Sequence, residues 1–392
     1  MSASSSNEIG RRIAAARTAR RMTQPALAAA AHVSLSTLRK AEQGSRPVSE
    51  RLLYALADAL DVDPDRLTGK RAHTDSRVHA TIPAVRTAVD TYDLPDDGPV
   101  RSLPHLHTAV ATATRQRLSS QYTRISETAP ELLAELTRAV HSSTGAEQED
   151  AAALLAAAYR AADAVAYKYG YYDLSARLVE LMRWAAALSG DPVLTATAAY
   201  VRTEIFFASR NLAPGLRALE AATSAMPPPV TVPARAALGA LHMRAAVVAA
   251  RLLEDRGTVD DHLRNARRLA DQVSEGIYNG TAFGPASMRI HEVSVAVELG
   301  DGSRAVEVAG SWAPPRELPA ERRSHYYIDL SRAQLWVGLR DEAFQSLHTA
   351  RQIAPQHVRE HPYVRDTLAT LLRLHLAPAQ ALVSYAEWAR AI

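Results

Sequence analysis

Apolar residues recur at spacings of three and four along almost the whole length of this 392-residue chain. Alanine and leucine occupy most of these positions, and runs in which β-branched residues alternate with polar ones are almost absent. A spacing of three and four places apolar side chains on one face of a helix, whereas a strand requires alternation. Proline, glycine, asparagine and aspartate interrupt the pattern where turns are expected. The sequence therefore predicts an all-α fold.

A polar segment with three prolines and a glycine divides the chain into two helical regions. We expect a first domain at residues 1–69, a linker at residues 70–101 with a short helix near residues 82–91, and a second domain at residues 102–392. The length is sufficient for two or three domains. A hydrophobic fraction of 47% is sufficient for buried cores.

The composition excludes several kinds of site and of protein. The chain has no cysteine, which removes disulfides, thiolate metal sites and cysteine nucleophiles. The N-terminal segment MSASSSNEIGRR lacks the apolar stretch of a signal peptide. No uncharged apolar run approaches the ~18 residues of a membrane-spanning helix. These features predict a soluble protein of the cytoplasm.

Positive charge is concentrated at one end of the chain. The formal net charge is +3, but residues 1–70 contain 11 Lys and Arg residues against 7 Asp and Glu residues. This region therefore has an excess of +4, and the rest of the chain has a net charge of −1. The distribution favours a phosphate-binding surface in the first region.

Capping and turn residues in the first region predict a bundle of five short helices. Thr23 and Ser34 are placed to cap the second and third helices, and Pro25 occupies a first-turn position where proline is tolerated. Val33, in the turn between these helices, is expected to enter the core. The second to fifth helices are predicted at residues 24–31, 35–43, 49–60 and 64–67, after a first helix with an apolar stripe of Ile9, Ile13 and Ala16.

Four motifs in register connect this region to a known family. They are T-Q-x-x-L-A from Thr23, V-S at Val33, S-T-L-x-x-x-E-x-G from Ser36 and L-x-x-L-A-x-A-L-x-V from Leu53. The region resembles the helix-turn-helix domains of the phage repressor and Cro family, often called Xre-like. This resemblance implies a λ-repressor-like fold of five helices that binds operator DNA, with the third helix in the major groove.

The resemblance also implies which side chains meet the DNA. Ser36, Arg39 and Lys40 are expected to donate hydrogen bonds to base edges or phosphates, and Leu35 to touch a thymine methyl group. Gln24, at the start of the second helix, is expected to bind a phosphate. The full set of predicted DNA-binding residues is Gln24, Ser34, Leu35, Ser36, Thr37, Arg39, Lys40 and Arg46.

Three further positions concern the architecture of this region. Arg17 and Glu42 occupy the positions at which the family has a structural ion pair between the first and third helices. His32 stands where the family usually has a glycine with positive φ, so the resemblance implies local backbone strain. The recognition positions lack the Gln and Asn side chains that often contact adenine. Shape-based recognition and a domain that serves only protein contacts are therefore alternatives.

The helices of the second region are expected to pack in pairs. In the clearest pair, at residues 324–355, the second helix carries Ala343, Leu347 and Ala350 and ends before Pro355. Small and apolar residues at these spacings allow two antiparallel helices to pack closely. The pattern resembles degenerate tetratricopeptide repeats, whose helix pairs stack into an α-solenoid. An irregular helical domain is the alternative.

Aromatic residues cluster on the helices of the second region. Aromatic side chains at helical spacing mostly belong to a core, yet stacked helix pairs also form a concave groove. Tyrosine on such a groove suits ligands that are partly apolar and partly polar. The candidate effector-binding residues are Tyr171, Tyr200, His291 and Tyr327.

No motif supports catalysis, a bound cofactor or a metal ion. The chain shows no Walker loop, no dinucleotide-binding glycine motif and no G-x-S-x-G nucleophile motif. His357, Glu360 and His361 match the H-x-x-E-H pattern of some zinc peptidases. Because Pro355 and Pro362 flank this pattern, we expect a polar turn there rather than a metal site.

The combined prediction is a bacterial transcriptional regulator that is not an enzyme. It would bind double-stranded operator DNA as a homodimer, and its repeat domain would sense a peptide or small-molecule effector, without a membrane partner. An effector can act only by binding two arrangements of the protein with different affinities. The alternative is a protein-interaction scaffold whose helix-turn-helix domain does not bind specific DNA.

Overall fold

The computed structural model contains two compact units, Met1–Ser76 and Arg77–Ile392. The residues that the structure describes are 3–20, 22–45, 48–60, 67, 76–252, 256–374, 380–389 and 391. Within these ranges, none of the helices combines the length and the apolar character that crossing a bilayer requires.

The described helices of the first unit surround a small apolar core. Ile13, Leu27, Leu38 and Leu56 are fully buried in this core. Of the fifth helix predicted at residues 64–67, only Leu67 lies among the described residues, and it is buried in the same core. The helices are α1 (Ala3–Ala19), α2 (Gln24–Ala30), α3 (Leu35–Glu42) and α4 (Glu50–Ala59).

Helix α5 (Ser76–Asp90) lies in the segment predicted as a linker. Val78, Ile82, Val85 and Val89 are buried and belong to the main core of the second unit. Their spacing of three and four gives the helix one apolar face, and burial of that face fixes it against its neighbours. Much of the predicted linker is therefore part of the second unit.

The second unit consists of helices that pack on the next helix in the chain and in several cases on the next but one. This is the contact pattern of stacked helix pairs. The predicted all-α architecture, with a helix-turn-helix unit followed by tetratricopeptide-like helix pairs, is thus confirmed. The helices before the short β-hairpin are α6 (Leu103–Leu118), α7 (Tyr122–Ser142), α8 (Gly145–Lys168), α9 (Tyr172–Leu188), α10 (Pro192–Ala208), α11 (Leu212–Ala225), α12 (Val232–Leu252) and α13 (Arg256–Ala270). Those after it are α14 (Pro285–Glu298), α15 (Gly302–Ala309), α16 (Ala320–Trp336), α17 (Arg340–Ile353), α18 (Pro355–Glu360), α19 (Pro362–Leu374) and α20 (Gln380–Ala389).

The helix pair predicted at residues 324–355 is formed by α16 and α17. Gly338, in the turn between them, has a φ of 86°, a conformation that glycine adopts without steric cost. Ala343, Leu347 and Ala350 of α17 are completely buried. Their small or apolar side chains allow α17 to lie against α16, as the sequence pattern indicates.

An antiparallel β-hairpin separates α13 from α14. Strand β1 (Gly276–Tyr278) pairs with β2 (Thr281–Phe283). Phe283 is completely buried, and its ring fills the space in which a side chain at Gly239 of α12 would stand. This close approach fixes the hairpin on α12 and holds its carbonyl groups next to polar residues of the neighbouring helices.

Candidate functional site

Helices α2 and α3 and the turn between them form a helix-turn-helix. The Thr23 side chain caps α2 by accepting a hydrogen bond from Ala26 N at 3.2 Å. Ser34 caps α3 by accepting from Thr37 N at 3.1 Å. Each cap satisfies a backbone N–H that has no partner within its own helix. In the turn, His32 has a φ of 54°, which confirms the left-handed conformation expected at this position.

Helix α3 presents a polar face to solvent. Ser36, Arg39 and Lys40 are exposed, whereas Leu38 and Ala41 are buried on the opposite side. The exposed face therefore offers two cations and a hydroxyl group, which can donate hydrogen bonds to base edges and phosphates.

The remaining predicted DNA-binding residues of this segment differ in their surroundings. Ser34 is exposed, but its hydroxyl group is occupied as the cap of α3. Leu35 and Thr37 are half-buried, and Leu35 packs against the core of the unit. Arg46 lies outside the described residues.

A network around Glu42 joins the first three helices. Arg17 Nε donates to Glu42 Oε1 at 2.7 Å, so the structure brings the predicted ion-pair residues together. Gln24 Nε2 donates to Glu42 Oε2 at 2.7 Å. Arg39 Nε in turn donates to Gln24 Oε1 at 3.4 Å. Gln24, predicted to bind phosphate, thus also connects the ion pair to the exposed face of α3.

The contact between α1 and α3 depends on a glycine. A Cβ atom at Gly10 would collide with the backbone carbonyl oxygens of Ala41 and Glu42. Because backbone atoms cannot move aside as a flexible side chain can, only glycine permits this approach. The end of α3 is therefore held by close backbone packing and by the Arg17–Glu42 pair.

The second unit contains a group of cationic and polar side chains, called here the inner polar cluster. Arg322 joins two of the predicted effector-binding residues, since it lies 3.3 Å from the Tyr200 hydroxyl and 3.2 Å from His291 Nε2. His291 Nδ1 donates to the Ser287 carbonyl oxygen at 2.9 Å, which leaves Nε2 to accept from Arg322. The cluster comprises Arg117, Arg160, Tyr200, Arg244, His291 and Arg322.

The pKa of Tyr200 reflects the positive charge of this cluster. Tyr200 is 4% exposed, and the Arg244 guanidinium lies 4.2 Å from the centre of its ring. Burial by itself raises the pKa of Tyr200, but the charges of Arg244, Arg322 and Arg160 together lower it to about 7. A phenol with such a pKa lies in a strongly positive potential, which attracts anions.

Arg117 and Arg160 extend the cluster towards the β-hairpin, and both are buried. Arg160 donates to the Asn279 carbonyl oxygen at 2.6 Å and to Thr281 Oγ1 at 2.8 Å, and Arg117 donates to the Gly280 carbonyl oxygen. Burial, followed by repulsion from Arg117, lowers the pKa of Arg160 to about 9. These acceptors are neutral, so they satisfy the guanidinium hydrogen bonds without cancelling the charge.

The carboxylate of Glu321 lies next to the cluster. Its Oε1 atom is 2.8 Å from Lys168 Nζ. Burial raises the pKa of Glu321, but Lys168 and then Arg117 and Arg322 lower it to about 2. Lys168 is thus the first cation that acts on this carboxylate, ahead of the arginines of the cluster.

The other two predicted effector-binding residues lie apart from the cluster. The Tyr171 hydroxyl is 2.5 Å from His79 Nδ1 on α5. The Tyr327 ring packs edge-on against the Tyr326 ring at a centroid distance of 5.1 Å, in a separate apolar core. The structure therefore brings Tyr200 and His291 together, but not Tyr171 or Tyr327.

The arginines of the cluster were not predicted from the sequence. They come from α6, α8, α12 and α16, so no local motif connects them. One signal was present: Arg160 interrupts the alanine-rich stretch AAAYRAADAV, which is otherwise typical of a buried helix face. A single cation on such a face is costly unless it has partners.

Three histidines form a second polar group, His325 on α16, His357 on α18 and His361 directly after α18. One ring nitrogen of each lies within 4.8 Å of those of the other two. Burial lowers the pKa of all three, so their rings are neutral at neutral pH. Each of the two flanking prolines begins a helix, Pro355 α18 and Pro362 α19. His357 therefore lies in α18, and His361 lies four positions later, between the two helices.

Residues 8–68 match the family model described as a helix-turn-helix domain. The first unit therefore contains a domain of this family. Among curated proteins, none matches the chain.

Two solved structures are similar to the chain at low identity. The complex of PlcR from Bacillus thuringiensis with the peptide PapR7 and DNA has 14% identity and a TM-score of 0.29, covering 68% of this chain and 95% of PlcR. A point mutant of PrgX has 10% identity and a TM-score of 0.22, covering 97% of this chain and 99% of PrgX.

Proposed function

We propose that this protein is a sequence-specific, DNA-binding transcriptional regulator with an Xre-like helix-turn-helix domain. The observation that carries the proposal is the exposed face of α3, on which Ser36, Arg39 and Lys40 project away from the core. A face of this kind enters the major groove in proteins that use a helix-turn-helix.

Two features of the first unit support this use of α3. Its excess of positive charge, +4 over residues 1–70, favours the approach to the phosphate backbone. The Glu42 network also fixes α3 against α1 and α2, so the exposed side chains are held in place before DNA binds. Preorganised side chains lose less conformational freedom on binding.

Selection of binding sites from random double-stranded DNA by the full-length chain tests this proposal. We expect one enriched motif, which the variant with Arg39→Ala and Lys40→Ala does not enrich. Equal, sequence-independent recovery by both proteins would favour the alternative, a protein-interaction scaffold that does not bind specific DNA.

The proposal includes a homodimer as the DNA-binding form. One helix-turn-helix domain offers a small contact surface, and two linked domains gain affinity through effective concentration. The enriched motif is therefore expected to be a two-fold repeat with half-sites about one helical turn apart. Sedimentation of the protein with this DNA should give two chains per duplex. One chain per duplex would contradict the dimer.

We also propose that the helical-repeat unit binds an anionic effector at the inner polar cluster. Arg117 and Arg160 hydrogen-bond to neutral groups, and Arg244 and Arg322 are only half-buried. A carboxylate is the chemical group that guanidinium groups bind best in two-point contacts. The effector would be a small acid or a peptide with a carboxylate, and the protein would need neither a catalytic step nor a cofactor.

Paired ligands that differ in one group test the anionic effector. We would screen short peptides as free carboxylates and as C-terminal amides, together with small organic acids, for an increase in the Tm of the protein. Active compounds should be carboxylates, and Arg322→Gln should abolish their effect. Arg183→Gln, at an exposed pair with Glu180, is the matched control and should leave it unchanged. Amides as active as carboxylates would contradict an anion site.

A further inference from the structure

The three histidines form a compact group where α18 and the start of α19 meet α16. The ring centroids lie 6.0 Å apart for His325 and His357, 5.2 Å for His325 and His361, and 5.3 Å for His357 and His361. Helix α16, helix α18 and the residue between α18 and α19 thus contribute one imidazole each to a single point in the second unit.

Two of these imidazoles have a buried nitrogen without a hydrogen-bond partner among the described residues. His357 is completely buried, and its Nδ1 atom lies 2.7 Å from Ser324 Oγ. Its Nε2 atom has no partner, and neither does Nδ1 of His361. A buried nitrogen in this state is unfavourable unless something binds it.

We propose that His325, His357 and His361 bind a zinc ion, with a water molecule as the fourth ligand. Imidazole is a preferred ligand of zinc, and three protein ligands with one water is a common arrangement. Calcium and magnesium prefer oxygen ligands, which this group lacks. At a Zn–N distance of about 2.0 Å the nitrogens would be about 3.3 Å apart, so small side-chain rotations from within 4.8 Å complete the site.

The residues behind the histidines are suited to orient them. Ser324 Oγ lies on the Nδ1 side of His357 and leaves Nε2 available as a ligand atom. Asp329 is 2% exposed, and its Oδ2 atom lies 3.5 Å from His325 Nε2. Hydroxyl and carboxylate partners of this kind hold zinc-binding histidines in the required orientation and raise their basicity. Ser324 and Asp329 are positioning residues in this proposal.

A zinc ion at this position would connect α16 to α18 and to the start of α19. Arg322 of the inner polar cluster lies one helical turn from His325 on α16. The ion would therefore fix the C-terminal helices to the same helix that joins Tyr200 and His291.

Metal analysis of the untagged, full-length protein tests the site. The protein would be stripped with a chelator, equilibrated with zinc chloride, dialysed and analysed by elemental mass spectrometry. We expect one zinc per chain in the wild type and in the control His262→Ala, a buried histidine that pairs with His242. The variant with His325→Ala and His361→Ala should retain none, with helicity checked by circular dichroism.

Two further measurements keep the proposal open to refutation if the double variant is unstable. Ser324→Ala should weaken zinc binding by about tenfold, because it removes only the positioning contact. Cobalt chloride should give the wild type the intense visible absorption of a tetrahedral site. The proposal is overturned if the wild type binds no zinc at micromolar concentrations. It is also overturned if zinc persists without His325 and His361, or if His262→Ala abolishes it.

Discussion

Arg17 Nε lies 2.7 Å from Glu42 Oε1, and this ion pair joins α1 to the end of α3. Side-chain exposures of 17% for Arg17 and 6% for Glu42 place the pair away from most solvent screening. Glu42 also accepts from Gln24, so one carboxylate holds three helices in their mutual orientation. The exposed side chains of α3 depend on this arrangement for their position.

Loss of the ion pair should loosen α3. Replacing Arg17 with alanine leaves the buried Glu42 carboxylate without its cation, and we expect the opening free energy of α3 to fall by about 1.5–3 kcal/mol. Hydrogen exchange of the full-length protein should then be about ten- to a hundredfold faster at the α3 amides. Arg11→Ala, at an exposed position of α1, is the control and should leave these rates unchanged. Equal rates in all three proteins would exclude a stabilising role for the pair.

Gly10→Ala should destabilise the first unit, although alanine is the better helix former. In an open helical position this substitution stabilises by about 0.5–1 kcal/mol. Here the new Cβ meets the carbonyl oxygens of Ala41 and Glu42, so α1 and α3 must separate. Faster exchange at α3 is the expected result. An unchanged or slower rate would mean that the two helices are not in close backbone contact.

His32→Gly should have the opposite effect and stabilise the first unit. A side chain in the left-handed region costs about 1–2 kcal/mol, and glycine adopts a φ of 54° without this cost. Because glycine also makes the unfolded chain more flexible, we expect a net gain of about 1 kcal/mol or less. Slower exchange at α2 and α3 would show the gain, and a loss of protection would indicate that the imidazole makes a stabilising contact.

Ionisation of Tyr200 should occur near neutral pH. With a pKa of about 7 in the folded protein and of 10.0 for an ordinary tyrosine, the folded state loses this proton first. Folding stability from this group therefore rises as the pH increases from about 7 to 10, and it is lost as the pH falls through 7. Ultraviolet titration should show one tyrosinate forming near pH 7, which Tyr200→Phe removes.

Arg322→Gln provides the matched test of the cause. It takes away one of the positive charges that lower the pKa of Tyr200, so the same absorption change should move to higher pH. A titration near pH 7 that persists in Tyr200→Phe would assign it to another group. A titration that Arg322→Gln leaves in place would exclude that guanidinium as a cause.

The features that depend on local spacing could be predicted from the sequence. The caps Thr23 and Ser34 and the helix pair around Ala343 and Leu347 follow from contacts between residues close in the chain, whereas the positive φ of His32 was implied by the resemblance to the family. Such positions have strong local preferences, because a cap or a left-handed turn accepts few residue types.

Contacts between distant segments explain what the sequence did not show. The linker prediction gave weight to Pro83 and to polar residues, but Pro83 lies within α5, whose apolar face is buried. Arg322 contacts Tyr200, which lies 122 positions earlier in the chain. His325 contacts His361 because α16 packs on later helices. The pattern of one sequence does not indicate such pairs, since each of these residue types is common in a helix.

The central claim, that α3 recognises a specific DNA sequence, is tested most directly by a ratio of affinities. For the full-length protein, we would measure Kd at one fixed salt concentration for the selected site and for a shuffled duplex. We expect wild type to prefer the selected site by about a thousandfold or more. In the variant with Arg39→Ala and Lys40→Ala, this ratio of affinities should be at least about tenfold smaller. The control with Arg11→Ala and Arg20→Ala removes the same charge from α1 and its end, and it should weaken both affinities while keeping the ratio. A wild-type ratio near 1 would contradict the assignment. A ratio that the α3 substitutions leave unchanged would contradict it as well.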